Sequence, residues 1–374
     1  MEWLKPYKMS VGLHQAYLDK AVRQIPGSMG ILKSTWRSPS NIALVKYWGK
    51  KPVQIPANPS LSFTLSNSYT EMNLTVGQHA ENETELEYFF ERERNEAFES
   101  RVRGYLRDIS AYFPFLTGRK IRIESHNTFP HSSGIASSAS SMSALALAIC
   151  SVEQQILEGP KDEYFYRKAS YMARLGSGSA ARSVYGGFVT WGFQEGIEHT
   201  SDEFATPLAG NAGKAFTSLC DAVLIVSPDE KSVSSSRGHA LMDEHAYASA
   251  RYLQARENIV DLRSAIIGND MELFIQIVEN EALTLHGLMM SSDPAFLLLK
   301  PGTLQVLSRI QQFRKEKGVS VAFTLDAGPN VHLIYPGFER EKVVAFIRDE
   351  LLGYCYQEQW IDDRMGTGPS ELSF

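Results

Sequence analysis

The stretch from residue 121 to residue 150 constrains this chain more than any other. Ile121-Arg122-Ile123-Glu124-Ser125 alternates apolar and polar side chains as a half-buried strand does, and Asn127 and Pro130 end it. The run Pro130-His131-Ser132-Ser133-Gly134-Ile135-Ala136-Ser137-Ser138-Ala139 then leads into a helix whose Met142, Leu145 and Ile149 share one face. A strand that hands over to a helix through small residues lets backbone N–H groups approach an anion, and the helix dipole favours negative charge at the same point. The hydroxyls of Ser137 and Ser138 add donors, and Ser138 is a candidate magnesium ligand. The loop lacks the GxxxxGK[ST] spacing and so is not a Walker A loop. Ser- and Gly-rich turns also cap ordinary helices, so on its own the segment leaves phosphate binding and a plain structural turn equally open.

With 374 residues the chain exceeds the size at which one core stops growing, which predicts two domains, residues 1–210 and 211–374. A formal net charge of -6 offers no general basic face for nucleic acid, although a local group of cations can still bind a small anion. Cys150, Cys220 and Cys355 lie far apart without a CxxC pair, as free thiols in a reducing compartment do. The first residues contain no apolar leader, and the apolar run near residues 142–150 is too short to span a bilayer. These features predict a cytoplasmic protein with no membrane partner.

The remaining pattern predicts an α+β fold. Residues 42–47 and 61–65 read as strands, followed by the alternating Met72, Leu74 and Val76. Residues 81–103 read as a charged loop entering a solvated helix. A second helix over 163–175 stops at Gly176, a turn follows over 177–182, and 187–193 reads as a strand. In the second half, strands near 222–227, 319–325, 331–335 and 355–360 alternate with helices at 241–266, 271–290, 302–317 and 340–352. That order predicts an antiparallel sheet with helices on one face.

Three further segments carry chemistry. In Asn41-Ile42-Ala43-Leu44-Val45-Lys46-Tyr47-Trp48-Gly49-Lys50, two ammonium groups and a phenol near a strand end suit a diphosphate. In Gly176-Ser177-Gly178-Ser179-Ala180-Ala181-Arg182-Ser183, the turn sets the Arg182 guanidinium beside the hydroxyls of Ser177 and Ser179, a combination that reads a carboxylate or phosphate. In Asp326-Ala327-Gly328-Pro329-Asn330, a carboxylate ends a strand just before a Gly-Pro turn and is presented rigidly. His286 and His332 stand among apolar residues with no HxxxH or HxH cluster and read as structural polar groups.

The loop at 130–139 resembles the PxxxGL(G/A)SSA motif of the galactokinase, homoserine kinase, mevalonate kinase and phosphomevalonate kinase superfamily, with Ile135 in place of Leu. Together with the other three segments, in order from about residue 38 to 335, it resembles the diphosphomevalonate decarboxylase family. The resemblance implies a two-domain small-molecule-kinase-like fold, with an S5-like N-terminal domain, a ferredoxin-like C-terminal domain and ATP between them. It implies ATP contacts at Ser132, Ser133, Gly134, Ile135, Ala136, Ser137 and Ser138, with Mg2+ accompanying the nucleotide. Tyr47 and Lys50, beside Lys46, would hold the substrate diphosphate. Asp326 would act on a tertiary hydroxyl, and Arg182 would orient the carboxylate that leaves. Lys231-Ser232-Val233-Ser234-Ser235-Ser236-Arg237-Gly238 resembles the family's KKxVSST loop, so Lys231, Ser234 and Ser235 become candidates for closing the cleft.

The implied partner is a phosphorylated mevalonate, and the implied assembly a homodimer. A superfamily kinase, a decarboxylase acting on mevalonate 5-phosphate or mevalonate 3,5-bisphosphate, and a nucleotide-binding sensor without turnover are the alternatives. Intact Asp326, Arg182 and Ser138 weigh against the sensor.

Overall fold

The computed structural model describes residues 11–79, 83–130, 135–229 and 235–373. Helix α1 (Val11–Asp19) precedes the long strands β1 (Leu32–Val45) and β2 (Ser60–His79). These are followed by β3 (Glu85–Phe90), α2 (Glu96–Asp108) and β4 (Arg119–Asn127). Helices α3 (Ser137–Leu157) and α4 (Glu163–Gly176) and strand β5 (Phe188–Trp191) complete the first half. β1 pairs antiparallel with β2, β2 with β4, and β4 runs parallel to β3; β5 lies against the start of β2.

The strands predicted at 61–65 and 72–76 form one element, because the bend between them is bridged from outside. The backbone N–H groups of Ser66, Asn67 and Ser68 donate to the Asp363 carboxylate at 3.0, 2.7 and 2.8 Å. The described part of the segment predicted as a charged loop and solvated helix, residues 83–103, also differs from the prediction. Leu86 and Tyr88 alternate inward on β3, Asn95 Oδ1 caps α2 by accepting from Phe98 N at 2.9 Å, and Val102 and Tyr105 are buried. Abundant charge on the outward face conceals this two-residue alternation in the sequence.

Helix α3 is buried along almost its whole length, and its composition explains how. Ala and Ser side chains let the backbone approach β1 and β2 closely, and the hydroxyls thereby buried find partners. Ser143 bonds Ser38 across the contact at 2.7 Å, and Ser140 bonds Thr70 at 2.7 Å. Helix α4 is capped by Asp162, whose Oδ1 accepts from Phe165 N at 3.1 Å. It ends at Gly176, where a Cβ would come within 2.1 Å of Met142 Cε.

The second half opens with β6 (Leu219–Leu224), followed by helices α5 (Ala248–Gly268), α6 (Met271–Met290) and α7 (Pro301–Lys317). Strands β7 (Ala322–Leu325) and β8 (Val331–Pro336), helix α8 (Arg340–Phe346) and strand β9 (Trp360–Arg364) follow. The antiparallel sheet has the order β7-β8-β6-β9. Its last strand lies beyond the predicted 355–360, since residues 355–359 form a turn with Gln357 and Glu358 at φ 48° and 56°.

Alternate residues of this sheet enter different cores, so apolar side chains cover both faces where the sequence predicts helices on one. Val223, Ala322 and Ile334 join Leu61 and Phe63 of β2, Ile259 of α5 and Phe274 of α6. Leu224, Phe323 and Leu333 instead pack with Val306 and Ile310 of α7 and Phe346 of α8. The chain then returns to the first sheet as β10 (Ser370–Leu372), which pairs with β1. Cys150 and Cys220 are buried free thiols, and Cys355 is free and partly exposed. No described helix is long and apolar enough to cross a membrane.

Asp363 thus couples the two sheets through three backbone donors. Asp363→Ala leaves those N–H groups without their carboxylate, the Ser68 N–H being the buried one, and is expected to lower unfolding free energy by about 1–3 kcal/mol, the cost of one buried orphan. Urea denaturation measures this, and an unchanged midpoint would mean that the bend in β2 is held by other contacts.

Candidate active site

β1 and β2 are joined by residues 46–59, and this connection faces the hairpin turn between β7 and β8. A cavity of about 290 Å3 lies between them. Its walls include Lys46, Tyr47 and Lys50 from the connection, Ser177, Ser179 and Arg182 from the turn after α4, Ala136 and Ser138 from the start of α3, and Asp326. Segments remote in sequence therefore meet at one place.

Lys46 is the most tightly determined of these residues. Its Nζ lies 3.1 Å from Asp326 Oδ1, with the Lys46 side chain 2% exposed. Burial lowers the pKa of this ammonium, while the Asp326 carboxylate opposes the shift. The Lys46 backbone is held as firmly. Its N–H donates to Glu281 Oε2 at 2.8 Å, and its carbonyl accepts from Asn58 Nδ2 at 2.9 Å and Arg251 Nη2 at 3.0 Å. Arg251 and Glu281 form a buried bidentate pair at 2.7 and 2.6 Å, and Asn258 Nδ2 adds a third donor to Glu281 at 2.6 Å. The two cations that the sequence sets together have separated roles in space: Lys46 turns to Asp326, whereas Lys50 Nζ donates to Gln54 Oε1 at 3.3 Å in the short ribbon beyond it.

Arg182 sits in a short 3-10 helix (Gly178–Val184) and is also buried. Its Nε donates to Ser62 Oγ at 3.0 Å and Asn41 Oδ1 at 3.3 Å, and its Nη1 donates to Ser60 Oγ at 2.6 Å. Neutral acceptors thus fix the guanidinium plane without cancelling its charge. Burial lowers its pKa to about 10, with Asp326 acting in the opposite direction, so the group stays cationic near neutral pH. The Asp326 turn is braced from behind, its carbonyl accepting from His286 Nε2 at 3.1 Å and from Gly328 N at 2.7 Å. His286 is therefore structural, as the sequence predicts, and so is buried His332, which pairs with Asp221 at 2.8 Å.

Tyr47 packs edge-on against Trp191, with ring centroids 4.7 Å apart. Its hydroxyl is buried and makes no protein hydrogen bond among the described residues, and burial raises its pKa. Gly178 makes room for it, since a Cβ there would lie 2.9 Å from Tyr47 Oη and 2.8 Å from Trp191 Cη2.

At the nucleotide side, Ala136 takes a left-handed φ of 43° and delivers the N-terminus of α3 to the cavity. Ser138 Oγ lies 3.2 Å from Ser177 Oγ. Ser137 begins the helix, and Ile135 points into the core with its carbonyl accepting from Ser40 Oγ at 2.5 Å. Ser132, Ser133, Gly134, Lys231 and Ser234 lie outside the described residues, as does the side chain of Ser235.

Sequence reasoning missed Glu281, Arg251, Asn58 and His239. A buried ion pair between two helices leaves no local signature. Ser60 and Ser62 were legible in principle, since they alternate on one face of a strand.

Residues 38–205 match the family described as "Diphosphomevalonate decarboxylase-like N-terminal domain", and residues 222–368 match "Mevalonate 5-diphosphate decarboxylase C-terminal domain". A diphosphomevalonate decarboxylase of Candida albicans is 30% identical over 83% of this chain and 86% of its own length. The chain belongs to the diphosphomevalonate decarboxylase family. The Saccharomyces cerevisiae diphosphomevalonate decarboxylase is likewise 30% identical, over 85% of this chain and 82% of its own. A mevalonate diphosphate decarboxylase structure from Enterococcus faecalis superposes with a TM-score of 0.77 at 28% identity, covering 92% of this chain and 100% of that one. One from Staphylococcus aureus gives 0.79 at 28% identity, covering 92% and 99%. The α+β, two-domain architecture expected from the motifs is the one these relatives share.

Glu281 anchors Lys46 and Arg251 together. Glu281→Ala leaves a buried guanidinium without its carboxylate and is expected to cost about 3–5 kcal/mol of stability, read from chemical denaturation. A loss below about 1 kcal/mol would show that water replaces the carboxylate.

Proposed function

We propose that this chain carries out the ATP-dependent decarboxylation of (R)-5-diphosphomevalonate to isopentenyl diphosphate, releasing ADP, phosphate and carbon dioxide. The observation that carries this reading is the convergence of one carboxylate, Asp326, with two buried cations, Lys46 and Arg182, in a cavity that also receives the start of α3. A kinase needs the carboxylate and the phosphate-binding helix. A planar cation with its fork fixed by neutral groups serves to hold a second, leaving carboxylate.

In this reading Asp326 receives the proton of the tertiary hydroxyl as that oxygen attacks the γ-phosphorus of ATP, and ADP departs. Lys46 orients the Asp326 carboxylate from 3.1 Å. The tertiary phosphate then leaves, the electrons of the bond to the carboxylate carbon fill the developing cation, and carbon dioxide and the alkene form. Arg182 keeps that carboxylate aligned until the bond breaks, assisted by Ser177 and Ser179 at the cavity wall. Tyr47 and Lys50 hold the diphosphate, Tyr47 through a buried hydroxyl otherwise without a partner among the described residues.

The amides at the start of α3 and the hydroxyls of Ser137 and Ser138 suit the nucleotide phosphates. No group of three or more His, Cys, Asp or Glu suited to a metal occurs among the described residues. Magnesium would therefore be held chiefly by the nucleotide, with Ser138 as a protein oxygen, and would supply charge neutralisation at the transferring phosphoryl group. Support also comes from a family structure in complex with MVAPP, AMPPCP and magnesium, 28% identical to this chain. The reading includes a homodimer in the cytoplasm and a chain divided near residue 210.

Supplying ATP, magnesium and each candidate mevalonate phosphate, and measuring ADP and carbon dioxide together, tests the reaction. Equal yields from the 5-diphosphate are expected; ADP without carbon dioxide would make this chain a kinase. Asp326→Asn keeps the shape and loses the base. It is expected to lower kcat by about 10²–10⁴-fold with nucleotide binding retained, and near-normal turnover would remove Asp326 from the chemistry.

A further inference from the structure

His239 lies in the short helix Ser235–Ala240 and reaches the cavity wall beside Tyr47, Trp48 and Lys50. Its ring is held between two aromatic side chains, with centroids 4.2 Å from Tyr47 and 4.8 Å from Trp48. The preceding Gly238 permits this approach, because a Cβ there would lie 2.5 Å from Trp48 Cη2. His239 as a whole is 8% exposed, so the ring's orientation is set by packing.

Hydrogen bonding fixes its proton. Gly49 N lies 3.0 Å from His239 Nδ1. A backbone N–H can only donate, so Nδ1 presents its lone pair and a neutral imidazole carries its proton on Nε2. Glycine is required at 49, which sits at φ +92° and where a Cβ would lie 2.4 Å from Tyr252 Oη. Burial, reinforced by Lys50, lowers the pKa of His239 to about 3 and keeps the ring neutral. Among the described residues no protein group accepts the Nε2 proton. Two adjacent side chains on this wall, His239 and Tyr47, thus carry donors with no described protein acceptor, and Lys50 adds a cation beside them. Donors left in this way suit a ligand rich in acceptor oxygens, such as a phosphate.

We propose that His239 is a substrate-binding residue, donating its Nε2–H to a phosphate oxygen of the diphosphate that Tyr47 and Lys50 also hold. The assignment rests on the reading of this wall as the diphosphate site. It adds a neutral, directional donor to a site otherwise recognised by a phenol and an ammonium group. It also gives the helix Ser235–Ala240 a direct link to the substrate, through a residue that simultaneously grips the Gly49 backbone.

Two amides separate the nitrogen atoms. His239→Asn places an acceptor where Nδ1 was, keeping Gly49 bonded, and removes the Nε2 donor. His239→Gln places an N–H near Nε2 and gives up the Gly49 contact. The expected result is a KM for diphosphomevalonate raised roughly 10–100-fold in His239→Asn, the loss of a hydrogen bond to a charged group, with kcat nearly unchanged. His239→Gln should stay within about threefold of wild type.

Calorimetry with inorganic pyrophosphate on all three proteins should show the same order of affinity without turnover. A His239→Asn variant that binds pyrophosphate and substrate as wild type does, or a His239→Gln variant impaired as much as His239→Asn, would overturn the assignment and leave a structural role through Gly49. His239-dependent pyrophosphate binding in a protein that releases no carbon dioxide would support the donor and overturn the reaction instead.

Discussion

The buried pair between Arg251 and Glu281 is the contact on which the site depends. Both residues lie on helices of the second half, yet they bond the backbone N–H and carbonyl of Lys46, where the first sheet's leading strand ends. An ion pair buried this deeply adds little net stability unless every polar group is satisfied. Here Asn258 and the Lys46 N–H take up the remaining capacity of the Glu281 carboxylate, while Arg251 Nε has no hydrogen-bond partner among the described residues. What the pair gives is position: the Lys46 ammonium can meet Asp326 only if the two halves are held in one arrangement.

The same economy governs Arg182 and Asp326. Arg182 is held by an amide and two hydroxyls, so its positive charge remains for the cavity. Asp326 is braced through its carbonyl by His286 while its side chain meets Lys46. Arg182 is thus oriented by neutral partners alone, whereas the Asp326 carboxylate is oriented by the Lys46 ammonium and its backbone by His286. Electrostatic catalysis requires such orientation, since a dipole already in place needs no reorganisation during reaction.

Much of this was legible in sequence because the motifs are local. The turn at 176–183, the strand end at Asp326 and the small-residue helix after Ile135 all appear where pattern places them. The second-half helices at 271–290 and 301–317 fall within one residue of expectation. What sequence concealed is non-local. The unbroken β2 needs Asp363, nearly 300 residues away. β3 was hidden by charges on its outward face. The relation of Lys46 to Lys50 was misleading because neighbours in sequence at a strand end can face different partners. His239 could not be read at all, since a single histidine acquires meaning only from the rings and the amide that surround it.

The three-residue strand β10 has a consequence for how the molecule is made. β1 precedes the other long strands of its sheet in the chain, and one flank of it pairs with residues 370–372. During vectorial synthesis that flank lacks its native neighbour until residues 370–372 are available, while the rest of the first sheet has its strands much earlier. An open strand edge is a template for pairing with other chains. The period between completion of α4 and arrival of β10 is then the interval in which a nascent first half is most exposed to mispairing.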